Sequence, residues 1–506
     1  MKTVADAQIQ EKPLTPEAYL SLFRQKLPGL RAAQCRWKHT PMSERIAILR
    51  RLRKILSAES DRFARAIAHE NGKTPLEALT QEIIPTLDAV EFLEKEAAQI
   101  LATRPLRLKT RQFYFKGKDN AIFYEPYGVI GILGTWNYPF FLCMTQVLFA
   151  LIAGNAVVLK GSEFSFRVTD LLAELLTAAG FDPELFHCFS AGSGAGEALV
   201  RLECDKYILT GARKTGKAVM KMLAETMTPA VMELSGCDPY VVLSDADWPM
   251  AVKVLIWAAY QYSGQTCVAP RRVLLLRKDR ERFLGAFRKA AAAAQEYLSE
   301  QGILRSEVQA ESQCRTIAAL KEQGARLEFG DESSCGNTAY FGPRVYSGVD
   351  DRMLGDADFM APVIFMVEYE DEEALFAAVT SSPYALGASV WTRDRAKARR
   401  FAREIRAGQL WVNDAVFSVA LGEVAFGGFK ESGFGKTRGR EGLLEMVEQK
   451  FVSFDWRSRR STRHLPPYLP MSYAVMTQIQ RMMYLPSWKA KFRAFWDLCA
   501  VFMPKR

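Results

Sequence analysis

Apolar and polar positions divide the chain into segments of different period. Over residues 43–103 apolar side chains recur at helical spacing within dense charge, as in "SERIAILRRLRKILSAESDRFARAIAHE". That pattern predicts amphipathic helices packed on a later sheet. Residues 105–126 ("PLRLKTRQFYFKGKDNAIFYEP") alternate as strands do around "GKDN", which predicts a hairpin. Over residues 126–159 no side chain is charged, a length that could cross a bilayer. Gly128, Gly131, Gly134, Asn137, Pro139, Gly154 and Asn155 cut this run into "YGVIGIL", "GTWNYP", "FFLCMTQVLFALIA" and "GNAVVLK". The pieces read as a buried strand, a loop, a buried helix and a second strand, a β–loop–α–β unit of a parallel sheet and not a membrane span.

The alternation continues through "RVTDLLAELLTAAG", "LFHCFS", "KYILTG", "KTGKAVMKMLAETM" and "AVMEL", a doubly wound α/β pattern. A second α/β pattern runs over residues 245–434, with "VLLLR", "PVIFMVEYE" and "ASVWTR" as strands. With 506 residues the chain is long enough for two or three domains. "SAGSGAGEAL" (190–199) is a glycine-rich turn from strand to helix, suited to backbone contact with phosphate. It lacks the GxGxxG fingerprint, so a plain βα turn is an equally open reading.

Charge changes the picture at one end only. Lys plus Arg is 67 and Asp plus Glu 57, a net +10. Residues 456–506 hold ten Lys/Arg and one acid, Asp497, so this tail carries +9 and the rest about +1. In "PSWKAKFRAFWDLCAVFMPKR", Trp488, Phe492, Phe495, Trp496, Cys499, Phe502 and Met503 fall near one helical face, with Lys489 and Lys491 flanking it. Too short and charged to span, the segment suits a helix lying among anionic headgroups; packing on its own subunit or a dimer mate is the alternative. Its aromatics segregate from its basic residues, which argues against nucleic acid.

The nine cysteines show no paired spacing and the four histidines are far apart, which argues for a reducing compartment and against a locally built metal site. The first residues lack the apolar segment of a signal peptide. The expectation is a cytoplasmic protein able to touch the inner face of a membrane, with no metal. One cysteine stands out. In "QYSGQTCVAPRR" Cys267 follows small polar residues between an apolar stretch and a strand-like run, so it sits on a turn that its flanks hold rigid. A nucleophile, a metal ligand and an ordinary loop thiol all fit that position.

Three segments decide among them: "GTWNYPFFLCMTQVLFALIAGNAVVLKGSE" (134–163), "MELSGCDPYVVLSDADWPMAV…YSGQTCVAPRR" (232–272) and "FGGFKESGFGKTRGREGLLEMVEQKFVSFD" (426–455). In order, spacing and content they resemble the aldehyde dehydrogenase superfamily over residues 30–470. "MTPAVMEL" and "RHLPPY" look most like its class 3 and fatty aldehyde branch. The resemblance implies an α/β fold with a Rossmann-like, doubly wound NAD(P)-binding domain (1–104 and 127–233) and a second α/β catalytic domain (234–440). It also implies bridging strands (105–126 and 441–456) that join subunits, commonly as a homodimer, ahead of the basic tail (457–506).

By the same resemblance Cys267 is the nucleophile, Glu233 the base that activates it and then water, and Asn137 a side-chain donor to the oxyanion beside the Cys267 backbone N–H. The roles suit the chemistry. A thiol near pKa ~8.5 needs help to ionise, an amide stabilises O⁻ without taking a charge, and a carboxylate of raised pKa can move protons near neutrality. Seen alone, each residue reads as a loop thiol, a surface acid and a turn former; their joint context carries the roles.

Trp136, Lys160, Glu163, Thr210, Gly211, Gly216 and Asp358 match the family's cofactor positions. A glutamate at 163 favours a free 2′-hydroxyl, so NAD is preferred and NADP stays admissible. Several positions depart from the family: "ADFMAPV" puts Asp358, Met360 and Ala361 where "EEIFGPV" has Glu, Phe and Gly, Ala212 replaces a serine, and Cys237 replaces a lysine. The expected reaction is NAD(P)-dependent oxidation of a long-chain or otherwise lipophilic aldehyde through a thioacyl enzyme. A CoA-acylating dehydrogenase or acyl reductase, and a degenerate membrane-associated binding protein, are the rivals.

Overall fold

In the computed structural model, which describes residues 14–107, 109, 118–332, 339–354, 359–456 and 471–502, the charge-free run after Pro126 is the centre of a parallel sheet. Strands β1 (Arg104–Pro105) and β2 (Asp119–Pro126) precede that sheet. Its parallel members are β3 (Val129–Leu133), β4 (Ala156–Ser162), β5 (Phe186–Ala191), β6 (Lys206–Gly211) and β7 (Ala230–Leu234). The chain then crosses to a second sheet through β8 (Asp238–Val242), β9 (Pro270–Leu276), β10 (Arg326–Phe329), β11 (Arg344–Ser347) and β12 (Val363–Tyr369). After the short β13 (Tyr384–Ala385) come β14 (Gly387–Trp391) and β15 (Gln409–Val412). β16 (Phe429–Lys430) pairs with β13, β17 (Gly433–Phe434) returns to the first sheet against β7, and β18 (Val447–Phe454) joins β2.

The orders are β17-β7-β6-β3-β4-β5 and β10-β11-β12-β9-β8-β14-β15, with β17 and β10 antiparallel to their neighbours. β3, β4, β8 and β9 are buried at every position, which is why apolar runs such as "VIGIL", "AVVL", "YVV" and "VLLL" make up most of each. The helix Phe141–Ile152 is buried on all sides, and no helix among the described residues is long and apolar enough to cross a membrane. This is the doubly wound α/β architecture the pattern predicts, with two large sheets in one compact unit (residues 1–101 and 126–448).

One expectation about the helical region needs correction, and one helix goes unread in the sequence. Helices Met42–Ala58 and Ile84–Ile100 pack chiefly on each other and on helices Phe141–Ile152 and Phe166–Ala179, which themselves cover the strands. The sheet is met instead by a helix the sequence reading leaves out, Pro16–Trp37, capped by the Thr15 hydroxyl. Its buried Leu20, Phe23, Leu30, Ala33 and Trp37 do fall at helical spacing, but Pro28 interrupts the pattern.

The second unit (residues 102–125 and 449–506) holds the three-stranded sheet β1-β2-β18 and the helices Ser472–Tyr484 and Trp488–Phe502, which pack on one another. β1 and β2 pair antiparallel, as the expected hairpin requires, but of its expected turn "GKDN" Asp119 and Asn120 already belong to β2, and residue 117 lies outside the described residues. Cys314 is disulfide-bonded, where the sequence reading takes it as a free thiol. A bridge depends on approach in space, which linear spacing does not display, and its presence removes part of the ground for a reducing compartment.

Candidate active site

The turn that carries Cys267 is built under strain. After helix Trp248–Tyr260 the backbone of Tyr262, Ser263 and Gly264 stays left-handed, at φ 50°, 52° and 67°. Gly264 also has no room for a side chain, since a Cβ would come 2.5 Å from the Ala361 carbonyl oxygen. Two non-glycine residues in that region cost about 1–3 kcal/mol each and persist only where neighbours over-determine them. The Tyr262 N–H donates to Glu77 Oε1 (2.9 Å) and its hydroxyl to the Asn71 carbonyl (3.0 Å). The Ser263 N–H donates to Gln301 Oε1 (2.8 Å), and the Gly302 N–H to Ser263 Oγ (2.9 Å). Arg271 donates to the carbonyls of Gly264 and Ala361. Cys267 then follows at a fixed place, partly buried.

Asn137 sits in the loop between β3 and helix Phe141–Ile152, 3% exposed. Its Oδ1 accepts from the Thr135 hydroxyl (2.7 Å) and the Tyr138 N–H (3.0 Å), which fixes the amide's orientation. Its Nδ2 donates to the Gln265 carbonyl (3.0 Å), and the Tyr138 hydroxyl bonds Thr266 Oγ1 (2.6 Å). The loop is thereby tied to the cysteine turn twice, and an amide nitrogen with two hydrogens has one left to give.

Glu233 stands on β7, between Thr210 of β6 and Gly433 of β17. It is 2% exposed, and neither carboxylate oxygen has a hydrogen-bond partner. Burial pushes its pKa up to about 7, against a weaker pull from the Arg438 guanidinium and the Thr437 hydroxyl. The same burial, with the Glu233 and Asp238 charges, pushes the Cys267 thiol well up, while Arg438 pulls it down. The thiol is therefore neutral at rest and needs a base beside it.

One cavity of about 580 Å³ gathers Cys267, Glu233, Asn137, Trp136, Lys160, Glu163, Thr210 and Gly211. Lys160 and Glu163 face each other at 3.4 Å at the end of β4. Thr210 Oγ1 accepts from Gln146 Nε2 (3.0 Å). Gly216 is not among the lining residues: it lies inside helix Arg213–Ala224, where a Cβ would strike Leu234 at 2.7 Å, so its smallness lets the helix seat on β7. Met360 lines the cavity and its carbonyl accepts from Gln309 Nε2 (2.7 Å), while Asp358 lies outside the described residues. Of the glycine-rich turn, Gly196 reaches the cavity wall. Among the described residues no group of three or more His, Cys, Asp or Glu could hold a metal ion.

The profile of the aldehyde dehydrogenase family matches residues 26–452. The chain belongs to the aldehyde dehydrogenase family. It is 32% identical over 433 residues to a 4,4'-diapolycopene aldehyde oxidase of Methylomonas sp, covering 85% of this chain and 81% of that protein. It is 30% identical over 445 residues to a betaine aldehyde dehydrogenase of Cereibacter sphaeroides, covering 86% and 90%. Among solved structures, an aldehyde dehydrogenase of Mycobacterium tuberculosis complexed with NAD⁺ superposes with a TM-score of 0.80 at 26% identity, covering 89% of this chain and 92% of that one. The NAD⁺ complex of a Bacillus cereus aldehyde dehydrogenase does so with a TM-score of 0.80 at 26% identity, covering 88% and 90%.

Within this aldehyde dehydrogenase the structure adds residues that sequence reasoning passes over. Arg305 lines the cavity with its guanidinium 4.6 Å from the centre of the Trp136 ring and 4.2 Å from that of Phe164, and its buried Nε has no partner. Arg438 is 3% exposed, donates to the Val419 carbonyl and lies 4.8 Å from the centre of the Phe141 ring. Asp238, at the start of β8, is pushed up to about 8 by burial, opposed by weaker pulls from the Gly387 backbone N–H and the Arg272 and Arg271 guanidiniums. None has a sequence signal of its own, since isolated charged residues ordinarily read as surface.

Proposed function

We propose that the protein oxidises a lipophilic aldehyde to its carboxylic acid with NAD, carrying the acyl group on Cys267. The observation that carries this reading is Glu233: a buried carboxylate with no partner, held near pKa 7, on the same cavity as the cysteine and a fixed amide donor. Glu233 takes the thiol proton and Sγ adds to the carbonyl carbon. The oxygen, now O⁻, is met by the spare Asn137 N–H and the Cys267 backbone N–H. NAD, when bound, would supply the hydride acceptor, and loss of hydride from the adduct leaves a thioester on Cys267. Glu233 passes the thiol proton to solvent and then takes one from water; the hydroxide adds to the thioester carbon, the C–S bond breaks, the Cys267 thiolate takes the proton from Glu233, and the acid is released.

The cleft fits such a cofactor. Lys160 and the accessible Glu163 stand together at the end of β4, where ribose hydroxyls can be held, and the partnerless Arg305 Nε suits a phosphate oxygen.

The lipophilic substrate is supported by the Methylomonas relative, named for an aldehyde of diapolycopene, and by the tail. Helix Trp488–Phe502 buries Ala494 and leaves Trp488 85% exposed, with Phe492, Phe495, Trp496 and Phe502 also exposed. With nine net positive charges on residues 456–506, this face suits an anionic bilayer surface. β18 ends the three-stranded sheet with mostly exposed side chains, an edge that suits pairing with a second copy into a homodimer.

The test mixes enzyme, NAD and aldehydes of rising chain length, with and without CoA, and reads NADH together with the mass of the Cys267 peptide. The reading requires an acyl adduct on Cys267, rates that rise with chain length, and a free acid as product. An acyl-CoA product, or turnover without the adduct, overturns it. Sedimentation with anionic liposomes, lost on replacing Trp488, Phe492 and Trp496 by serine, checks the tail.

A further inference from the structure

The segment "NGKTPLEALTQEI" (71–83) carries a lysine and a glutamate that end fully buried, both side chains 0% exposed, with Lys73 Nζ 2.5 Å from Glu82 Oε1. Taking two such charges out of water costs several kcal/mol per ion, repaid only when every polar atom finds a partner. Here they do. Lys73 Nζ also donates to the Asn137 backbone carbonyl (2.7 Å) and lies 3.8 Å and 4.4 Å from the centres of the Tyr138 and Tyr262 rings. Glu82 Oε1 accepts a second bond from Asn71 Nδ2 (3.2 Å), and Oε2 accepts the N–H groups of Phe140 (2.8 Å) and Phe141 (3.1 Å).

The destinations of these bonds matter more than their number. The ammonium holds the carbonyl of Asn137, and the carboxylate takes the amides that open helix Phe141–Ile152, so the pair grips residues 137–141 at both ends. A carboxylate at a helix start satisfies amides that otherwise have no partner. The rings over the ammonium belong to Tyr138, bonded to Thr266, and Tyr262, which begins the strained turn before Cys267. Glu82 itself lies in a single π-helical turn, Leu79–Ile83, a distortion that re-aims side chains and recurs at functional sites. An apolar pair of the same volume would fill the space but could hold neither the carbonyl nor the amides.

We propose that the Lys73–Glu82 ion pair is a positioning device for the reaction, fixing the Asn137 amide over the site of the oxyanion and registering it against the Cys267 turn. The inference rests on Asn137 serving as the oxyanion donor. It assigns to two residues that never touch substrate the task of setting the side-chain member of the two hydrogen bonds that strengthen as charge develops.

The test compares the rate of the first NADH-forming turnover in Lys73→Met/Glu82→Gln, in Asn137→Ala, and in the triple combination. Glu82→Gln alone, which keeps shape and loses charge, serves if the double variant does not fold. Displacing a group by about 1 Å can cost about 100-fold, so the pair variant should lose roughly that much, with KM and NAD affinity unchanged within about threefold. In the Asn137→Ala background the same change should cost less than about threefold, since a donor that is absent cannot be mispositioned. A merely stabilising pair would lower the melting temperature and add its full loss in both backgrounds. Such additivity, or a pair variant with the unaltered first-turnover rate, overturns the inference. An unaltered rate in Asn137→Ala alone would instead overturn the donor reading on which it rests.

Discussion

Glu82 and Glu233 are both buried, at 0% and 2% exposure, and they are opposite kinds of site. Every oxygen of Glu82 is spoken for: Lys73 and Asn71 on one side, two helix amides on the other. Neither oxygen of Glu233 has a partner within hydrogen-bond distance, and burial, only partly offset by the Arg438 guanidinium and the Thr437 hydroxyl, raises its pKa to about 7. A carboxylate bound by donors on all sides is a fixed anchor, because moving or protonating it breaks several bonds at once. A carboxylate denied donors has its proton affinity raised and is free to take a proton and return it. Burial is common to both; the presence or absence of partners separates geometry from chemistry.

The largest expected effect concerns the group Glu233 serves. Cys267→Ala should lower turnover by on the order of 10⁴-fold or more, with NAD binding by fluorescence titration retained. Substantial oxidation in that variant would leave Glu233 without a proton to move and break the comparison at its chemical end. Next in size, Glu233→Gln and Glu82→Gln should fail differently. Glu233→Gln should slow thioester hydrolysis by about 10²–10³-fold and slow the NADH burst as well, whereas Glu82→Gln should slow the burst and leave hydrolysis intact. If Glu82→Gln also slows hydrolysis, or Glu233→Gln spares it, the two carboxylates are not distinguished by role.

Stability separates them as well. A carboxyl whose pKa is raised on folding from 4.5 to about 7 binds more protons folded than unfolded, so stability falls as pH rises between those values and stays lowered above. Removing that charge by Glu233→Gln should stabilise the protein by about 3 kcal/mol at pH 8 and by little at pH 4.5. Glu82→Gln should destabilise at both, because it strands the buried ammonium of Lys73. Denaturant unfolding at the two pH values checks the pair. The smallest effect lies away from both: Glu163→Gln should raise affinity for NADP relative to NAD by about tenfold, through loss of a charge that repels a 2′-phosphate.

The parts of this molecule that the sequence displays are those written in local pattern. The helix Phe141–Ile152 between β3 and β4 is legible because glycines and an asparagine punctuate a charge-free run. Cys267, Glu233, Asn137, Lys160 and Glu163 are singled out because each sits in a motif with matching context, and the structure gathers all five on one cavity. Lys73 and Glu82 are invisible by the same method. They lie in a charge-dense stretch whose helical period marks them as solvated, and their role comes from Asn137, 64 positions along from Lys73. Arg305 and Arg438 fail to stand out for the same reason, since an aromatic ring or a buried acid far off in sequence is what takes each out of solvent. Gly216 is a different case: a motif position suggests the cofactor, and close packing on Leu234 is a second reason for a glycine there that the sequence does not display.

The central claim is that Glu233 is a partnerless carboxyl that changes charge near neutral pH, and infrared difference spectroscopy across a pH titration reads it directly. Subtracting the Glu233→Gln spectra isolates the carboxyl band of this one residue, with Asp238 cancelling between the two proteins. The account predicts a protonated-carboxyl band that is present at pH 5.5 and disappears with a midpoint near 7. A difference spectrum without that band, or a midpoint at the ordinary value of 4.5, would contradict it.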